Sequence, residues 1–314
     1  MIPAELSSGV DLTQAILQPW ENELFDKKRL TLEVLRTDRI HPIISGNKYF
    51  KLKYHLQAAH QQARTGVISM GGAYSNHLLA TACICHSQKL QSVGIVRGEE
   101  PSIYSPTLQQ ATQFGMKLLF VSREMYQNKT QLKAHFRNQY PDYYWVNEGG
   151  RSTLGVKGAA EILQLAAVND YSHILCAAGT GTMMAGLLNA ATSGQLVCGI
   201  PVLKIPDQKN NDLLHFLEEQ SNNRPYSIQY GFHEGGYAKK TTALLAFMNK
   251  LYRAHQLPTD FVYTGKLFKA IYTLSAKDFF PPRSKLLIIH SGGLQGNRSL
   301  PAGSLIFPHT IQKS

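Results

Sequence analysis

The sequence has few cysteines and no long apolar run. Its four cysteines, Cys83, Cys85, Cys176 and Cys198, stand among aliphatic neighbours. That setting indicates reduced thiols buried as small apolar side chains, which argues against a disulfide framework and favours a reducing compartment. No stretch approaches the roughly 18 uncharged apolar residues that a membrane helix needs, and the N-terminus does not resemble a signal peptide. We therefore expect a cytoplasmic protein with no membrane partner.

Acidic residues are also scarce, because 21 Asp and Glu face 32 Lys and Arg for a formal net charge of +11. Such a surplus attracts anions, which include nucleic acid, a phosphorylated cofactor and a small acidic substrate. The basic residues are scattered singly or in pairs, and no basic stripe is interleaved with aromatic residues. We therefore expect no nucleic-acid partner.

A metal site is not expected either. Cys83, Cys85 and His86 are close in sequence, but they fall in a segment predicted to be helical. Side chains at i and i+2 of a helix diverge and do not share an ion.

What the sequence does contain is an alternation of short β-branched apolar runs with helix-like segments. With 314 residues, 43% of them hydrophobic, the chain is long enough for about two domains. The predicted buried strands are 66–69, 92–96, 117–121, 173–177, 196–200 and 286–290. The predicted helices are 75–86, 106–114, 156–167, 183–192 and 240–255. This order predicts an α/β fold with parallel sheets, and the polar segment 204–226 is interpreted as a surface excursion around a short helix.

Glycines mark the ends of the predicted strands. They occur at 71–72, 149–150, 179 with 181, 235–236 and 292–293. Glycine permits close backbone approach to a ligand, and ligands of open α/β sheets bind where parallel strands end. The five turns therefore predict one shared cleft.

Lys48 follows a flexible turn at the head of a predicted amphipathic helix. A lysine forms a Schiff base only when its amine is deprotonated, and the neighbouring cations Lys51 and Lys53 would lower its pKa. Lysine clusters are also common on solvated helix faces, so this segment alone leaves both interpretations open.

Two predicted strand-to-helix turns are candidate ligand sites. The amides of residues 178–182, together with a helix dipole, could hold a phosphate, although a tight turn with nothing bound also fits, because the segment matches neither common phosphate fingerprint. Ser75 and Asn76 would face the cleft from the other turn, and helix capping alone would also explain them. His77 is interpreted as a packed histidine.

Seven motifs in one order carry a resemblance to a known family. They lie at 46–51, 75–77, 149–150, 180–182, 235–239, 263–266 and 290–293. The set resembles the 1-aminocyclopropane-1-carboxylate deaminase and D-cysteine desulfhydrase family, which are pyridoxal 5′-phosphate enzymes. The resemblance implies the tryptophan synthase β-subunit-like fold (fold type II), with two interleaved domains that are each an open, mostly parallel twisted sheet covered by helices. It also implies a homodimer, and we expect a larger cofactor-binding domain of residues 1–51 and 150–314 around a smaller domain of residues 52–149.

The resemblance also implies roles for individual residues. Lys48 would bond the cofactor and move protons on the substrate, with Ser75 at the substrate carboxylate and Tyr263 assisting the chemistry. The implied cofactor-binding residues are Lys48, Lys51, Asn76, Gly179, Thr180, Gly181, Thr182, Thr264 and Ser291.

Thr264 bears on the choice of reaction. The cyclopropane-opening deaminases resemble Tyr-Glu at positions 263–264, whereas the desulfhydrases resemble Tyr-Thr, as here. A hydroxyl facing the pyridine nitrogen leaves the ring a weaker electron sink than a carboxylate does. The resemblance thus implies D-cysteine desulfhydrase-like α,β-elimination to pyruvate, ammonia and sulfide, with the deaminase reaction as the alternative.

Four residues depart from the family pattern, among them Ser45 where glycine is common and, as a mild change, Ser291 where threonine is common. Tyr74 stands where Gln is common, and Met183 replaces a frequent threonine at the end of the phosphate loop. These departures and the basic charge keep open an alternative of another class, a non-catalytic cofactor-binding or nucleic-acid-binding protein.

Overall fold

The chain folds around two separate β-sheets in a computed structural model that describes residues 9–222 and 224–308. The larger sheet has the order β1-β2-β10-β7-β8-β9, and the smaller has the order β5-β4-β3-β6. The strands are β1 (Leu17–Pro19), β2 (Thr31–Leu35), β3 (Gly66–Gly71), β4 (Gln91–Arg97), β5 (Met116–Val121), β6 (Tyr143–Trp145), β7 (His173–Ala178), β8 (Leu196–Pro201), β9 (Tyr226–Ile228) and β10 (Lys285–Ile289). Of the strand pairs in the described ranges, β1 with β2 is antiparallel and the others are parallel. The predicted α/β class with mostly parallel sheets is confirmed.

Helices cover both sheets. They are α1 (Glu23–Lys28), α2 (Asn47–Gln61), α3 (Asn76–Ser87), α4 (Pro106–Gln113), α5 (Arg123–Gln127), α6 (Lys129–Gln139), α7 (Thr153–Ala160), α8 (Thr182–Ala190), α9 (Asp212–Gln220), α10 (Thr242–His255) and α11 (Thr264–Ala276). Short polar residues begin many of them; for example, the Oγ of Ser105 accepts from the amide of Leu108 ahead of Pro106 in the first turn of α4. None of the helices in the described ranges is long and apolar enough to cross a membrane.

The central strands are buried along their whole length, and their carboxyl ends lead into the glycine turns. Every residue of β3 and of β7 is buried. Such strands appear in a sequence as continuous apolar runs, because helices cover both faces of a parallel sheet. All six predicted strands are present, with ends that differ by one or two residues.

The smaller sheet uses only strands that lie between residues 66 and 145, whereas the larger takes strands from both ends of the chain. The domain boundaries given above remain a prediction.

The polar segment 204–226 differs from its prediction as a surface excursion. Its helix α9 buries Leu213, Phe216 and Leu217 in the same apolar cluster as β7 and α8. A Cβ added at Gly181 would lie 2.9 Å from Cδ1 of Leu213. The segment therefore packs against the glycine turn that contains Gly181.

A buried ion pair anchors the chain just after β2. Arg36 donates from Nε and Nη2 to the two carboxylate oxygens of Asp38, at 2.8 and 2.7 Å, and Asp38 is fully buried. Burial opposes ionisation of Asp38, but His290 and Arg36 outweigh it and lower the pKa of the carboxyl. Between these two residues, Thr37 donates to the carbonyl of His290 at 2.7 Å, so the pair also fixes the segment that follows β10.

Replacing Asp38 with Asn should destabilise the protein by about 3 kcal/mol, because Arg36 would keep a buried charge without its counter-ion. This loss of stability should have its full size above pH 3.8, the ordinary pKa of the carboxyl. It should become smaller as the pH falls below that value, since Asp38 contributes only while it is ionised. Urea unfolding at several pH values measures both effects. Glu23→Gln is the control, because the Glu23 side chain is 92% exposed beside Lys27 and its loss should cost under about 1 kcal/mol. Equal losses in the two variants would contradict this account.

Candidate active site

Lys48 lies at the first turn of α2, where the helix meets the segment that follows β10. Its Nζ donates to the carbonyl of Ser291 at 2.9 Å. Gly46 has φ +61°, and a Cβ there would lie 2.0 Å from the Ser291 oxygen, so only glycine permits this approach. The predicted turn before Lys48 is therefore needed for close packing as well as for flexibility.

The amine of Lys48 is suited to act in its neutral form. Burial lowers its pKa to about 8, although Asp260 opposes the shift. Burial, and then the charge of Lys48, lower the pKa of Lys51 to about 7. Lys53 was the other cation expected to act on Lys48. It instead forms an ion pair with Glu161, and its side chain is only 7% exposed.

Gly293 lies at the centre of the cleft. A Cβ added there would lie 2.9 Å from Nδ2 of Asn76, 3.5 Å from Nζ of Lys48 and 3.7 Å from Cγ of Asp260. Nδ2 of Asn76 donates to the Gly293 carbonyl at 3.2 Å, while its buried Oδ1 has no hydrogen-bond partner. A buried amide with an unsatisfied end is costly unless a ligand completes it.

The glycine turn at 179–182 connects β7 with α8. Gly181 has φ +83°, a conformation that favours glycine and turns the chain so that α8 begins at Thr182. A Cβ at Gly179 would lie 3.2 Å from Cε1 of Tyr263, so the tyrosine ring covers this turn. The free amides at the start of α8 are the feature that binds phosphate in other helices.

A second glycine turn, at 149–150, lies between the turn at 179–182 and Lys51. A Cβ at Gly149 would lie 2.8 Å from Cγ2 of Thr180, and one at Gly150 would lie 3.0 Å from Cβ of Lys51. The hydroxyl oxygens of Thr180 and Thr182 are 3.1 Å apart. The cation and the two hydroxyls predicted to bind phosphate are thus grouped around one turn.

Tyr74 and Met183, which depart from the family pattern, lie in different places. Met183 is buried, and its Sδ accepts from Nδ2 of Asn47 at 3.3 Å, so its side chain ties α8 to the start of α2. Tyr74 is 44% exposed, next to the turn that carries Ser75.

Ser75 is a helix cap, as the simpler interpretation expected. Its Oγ accepts from the amide of Leu78 at 3.2 Å, which leaves the hydroxyl hydrogen free to donate. Capping and contact with a substrate carboxylate are therefore compatible. Ser291 is buried, and the contact that the structure gives it with Lys48 is made by its carbonyl.

Tyr263 lies beside Lys48 and a second tyrosine that the sequence analysis did not single out. Nζ of Lys48 is 5.9 Å from the Tyr263 ring centre, and the hydroxyls of Tyr263 and Tyr237 are 3.4 Å apart. Burial, followed by the influence of Tyr237, raises the pKa of Tyr263 well above its usual range. Tyr263 therefore keeps its proton at neutral pH. In the sequence, its position directly after the Gly235-Gly236 pair could have indicated that Tyr237 lies near the site.

Asp260 is the other residue that the sequence analysis missed. Its carboxylate accepts from the amides of Val262 and Tyr263 at 2.9 and 2.8 Å, and from both the amide and the hydroxyl of Thr264 at 2.9 and 2.7 Å. The Thr264 oxygen accepts in turn from the Asp260 amide at 2.8 Å. The proton of Thr264 is thus held by Asp260, and toward a ligand this hydroxyl offers a lone pair. An aspartate just before a helix was the available signal.

Fold and site together define an α/β protein in which a buried lysine of lowered pKa lies near the glycine turn at 179–182. The chain belongs to the family of pyridoxal-phosphate dependent enzymes, whose model matches residues 28–292. The alternative of a non-catalytic protein therefore falls away.

Individual relatives carry the names that the motifs suggested. The chain is 28% identical over 295 residues to the bifunctional D-cysteine desulfhydrase/1-aminocyclopropane-1-carboxylate deaminase of Arabidopsis thaliana, covering 84% of this chain and 73% of that one. It is 23% identical over 282 residues to the D-cysteine desulfhydrase of Yersinia enterocolitica, covering 82% and 86%. A crystal structure of an ACC deaminase homologue matches with a TM-score of 0.77 at 22% identity, over 95% of this chain and 97% of that one. The predicted family and fold are confirmed.

The residues of this cleft fit pyridoxal 5′-phosphate. The amine of Lys48 suits the aldehyde, Lys51 and the turn at 179–182 suit the phosphate, and the unsatisfied amide of Asn76 suits a polar ring substituent. The roles of the single residues remain predictions.

Replacing Lys51 with Met should weaken binding of pyridoxine 5′-phosphate, which carries the phosphate but no aldehyde, by about 10- to 100-fold. The ratio of wild-type to variant affinity should fall as the pH rises from 6 to 8.5, because the pKa of Lys51 is about 7 and its charge is lost above that value. Calorimetry on the cofactor-free protein measures both quantities. Lys157→Met, at an exposed position on α7, should bind as the wild type does. A pH-independent ratio would contradict the assignment of Lys51 to the phosphate.

Proposed function

We propose that this enzyme is a lyase that eliminates a thiol from a small D-amino acid, in the manner of a D-cysteine desulfhydrase. D-cysteine and water would give pyruvate, ammonia and hydrogen sulfide. The observation that carries the proposal is the grouping of Lys48, the turn at 179–182 and Tyr263 in one cleft, with Thr264 in place of a carboxylate. The names of the relatives support the same class of reaction.

When bound, the cofactor supplies an aldehyde for amines and a ring that withdraws electron density from the substrate α-carbon. Lys51, Thr180 and Thr182 would hold the phosphate, while Asn76 would orient the ring. The hydroxyl of Ser75 would donate to the substrate carboxylate, because its hydrogen is not used in capping α3.

Lys48 is the base of the proposed reaction. Because burial lowers its pKa to about 8, a substantial fraction of the amine is neutral near physiological pH and can take the α-proton. Tyr263 has a raised pKa, so its hydroxyl serves as a proton donor near the leaving group and does not compete as a base. Sulfur leaves from the β-carbon with the electron pair of the broken bond and is protonated to the thiol.

One observation favours a second candidate, the deamination of 1-aminocyclopropane-1-carboxylate. If Thr264 faces the pyridine nitrogen, as the resemblance implies, its lone pair would accept a hydrogen bond from a protonated ring. Asp260 holds the hydroxyl in that orientation, so the Asp260 carboxylate would act on the ring indirectly, through Thr264. A stronger electron sink is what the cyclopropane substrate requires.

A homodimer and a cytoplasmic location complete the proposal. The dimer follows from the family resemblance. The location is supported by four free cysteines, all of them buried.

Lys48→Ala should lose the visible absorbance of the protein-bound cofactor and lower turnover by at least about 1,000-fold, because it removes both the covalent attachment and the base. Absorption spectra and a pyruvate assay on the same preparation measure the two losses. Lys157→Ala is the matched control and should keep colour and turnover. Retained turnover in Lys48→Ala would contradict the role of this lysine.

The wild-type enzyme should release pyruvate and sulfide in equal amounts from D-cysteine, and neither product from L-cysteine at a comparable rate. A panel of D- and L-cysteine, D- and L-serine and 1-aminocyclopropane-1-carboxylate, assayed for 2-oxo acid, ammonia and sulfide, separates the candidates. Oxo acid formed from the cyclopropane substrate alone would overturn the elimination proposal in favour of the second candidate.

A further inference from the structure

Lys266 is a wholly buried lysine to which the proposed mechanism gives no task. It lies in the first turn of α11, two residues after Thr264, and has no exposed surface. Its Nζ donates to the carbonyl of Gly236 at 2.7 Å and to that of Val202 at 3.4 Å. Both carbonyls belong to segments that follow strands of the larger sheet.

Burying this amine is unfavourable. Burial lowers the pKa of Lys266 to about 8, although Asp260 and Glu234 oppose the shift. No carboxylate in the described residues lies within 4 Å of its Nζ, so backbone carbonyls take most of its hydrogen bonding. An apolar side chain would fill the same space without this desolvation cost, which indicates that the hydrogen bonds themselves matter.

The segment that Lys266 contacts has an unusual backbone. Glu234, Gly235, Gly236 and Ala238 all have positive φ, at +53°, +93°, +124° and +52°. Two of the four carry a Cβ, and left-handed conformations of such residues persist only where surrounding contacts enforce them. Segment 234–241 therefore depends on the groups that hold it.

Besides hydrogen bonds within the segment itself, those groups include two lysines of α11 that lie three residues apart and face the same side of the helix. Lys266 binds the backbone of the segment at Gly236, and Lys269 pairs with the carboxylate of Glu234 at 2.7 Å. Tyr237 follows Gly236 directly, and its hydroxyl is 3.4 Å from that of Tyr263. The position of Tyr237 over the cleft thus follows from the backbone that the two lysines hold.

Lys266 also connects this segment with the turn predicted to bind phosphate. The amide of Val202 donates to the carbonyl of Ala178 at 3.0 Å, and Ala178 immediately precedes the turn at 179–182. One ammonium group therefore joins the segment that carries Tyr237 to the end of the strand that carries the turn.

We propose that Lys266 is a positioning residue, whose hydrogen bond to Gly236 fixes segment 234–241 so that Tyr237 lies against Tyr263 above the substrate. The proposal rests on the proposed function only in assigning the substrate to this side of the cleft. The fixing of the segment stands on the contacts alone.

Hydrogen exchange tests the fixing of the segment without any use of activity. In Lys266→Met, which keeps the length of the side chain but removes the donor, amides of residues 233–241 should exchange at least about tenfold faster than in the wild type. Exchange in the smaller sheet should be unchanged.

Lys269→Met is the matched control, because the Lys269 side chain is 27% exposed and bonds a side chain. The effect of this variant on the exchange of the segment should be smaller. If Lys266→Met does not fold, Lys266→Gln, which keeps a shorter donor, takes its place. Unchanged exchange at 233–241 in the folded variant would overturn the proposal.

A double-mutant cycle tests whether Lys266 acts through Tyr237. The probe is D-alanine, which has no β-leaving group, and its dissociation constant is read from the change in the visible spectrum of the cofactor-loaded enzyme. Tyr237→Phe and Lys266→Met should each weaken binding, and together they should weaken it by less than the product of the single effects. Multiplicative effects would show that Lys266 acts elsewhere and would overturn the proposal. If the elimination reaction is not found, the exchange result still stands, so the two failures are distinguishable.

Discussion

The hydrogen bond from Lys48 to the carbonyl of Ser291 is the contact on which the site depends. It joins residues 243 positions apart at the place where the first long helix meets the last strand of the larger sheet. Two glycines make the approach possible, because a Cβ at Gly46 or at Gly292 would lie within 2.5 Å of atoms across the contact. Asn76 from the start of α3, and Asp260 with Tyr263 from the segment before α11, lie near the same amine, so its environment is built by parts of the chain that are distant in sequence.

The electrostatics of the cleft suit anionic ligands. Lys48, Lys51 and Lys266 are withdrawn from water, and the carboxylate of Asp260, which acts on both Lys48 and Lys266, is occupied by hydrogen bonds from residues 262–264. Three lysines with lowered pKa in one region cost stability, and a phosphate with a substrate carboxylate would recover part of it. The net charge of +11 indicated an attraction for anions but not the place in the fold where it would act.

The sequence predicted the fold class well, because parallel strands buried on both faces leave continuous apolar runs that end in glycine, whereas the cofactor was implied by the resemblance of seven motifs to a known family. It missed β1, β6 and β9, which have three residues each and are too short to show a period, and it also missed the five-residue β2. It also missed α1, α5, α6 and α11, although Leu267, Ile271 and Leu274 stand at helical spacing in α11 and could have indicated that helix. Tyr237 and Lys266 lie within the listed motifs and Asp260 precedes a helix, but spacing did not show their importance, which comes from contacts between segments that are distant in sequence. Lys53 was misjudged because a helix turns adjacent lysines toward different neighbours.

The arrangement of the two sheets has a consequence for biosynthesis. All four strands of the smaller sheet will have left the ribosome once residue 145 has emerged, so that sheet can form early. The larger sheet must wait, because β10 inserts between β2 and β7 and is made last. Until then the nascent chain carries β2, with its apolar Leu32, Val34 and Leu35, without its parallel neighbour, an exposed edge of the kind that chaperones protect. Because the segment that follows β10 also contacts Lys48, the surroundings of this lysine are completed only when the last strand has joined the sheet.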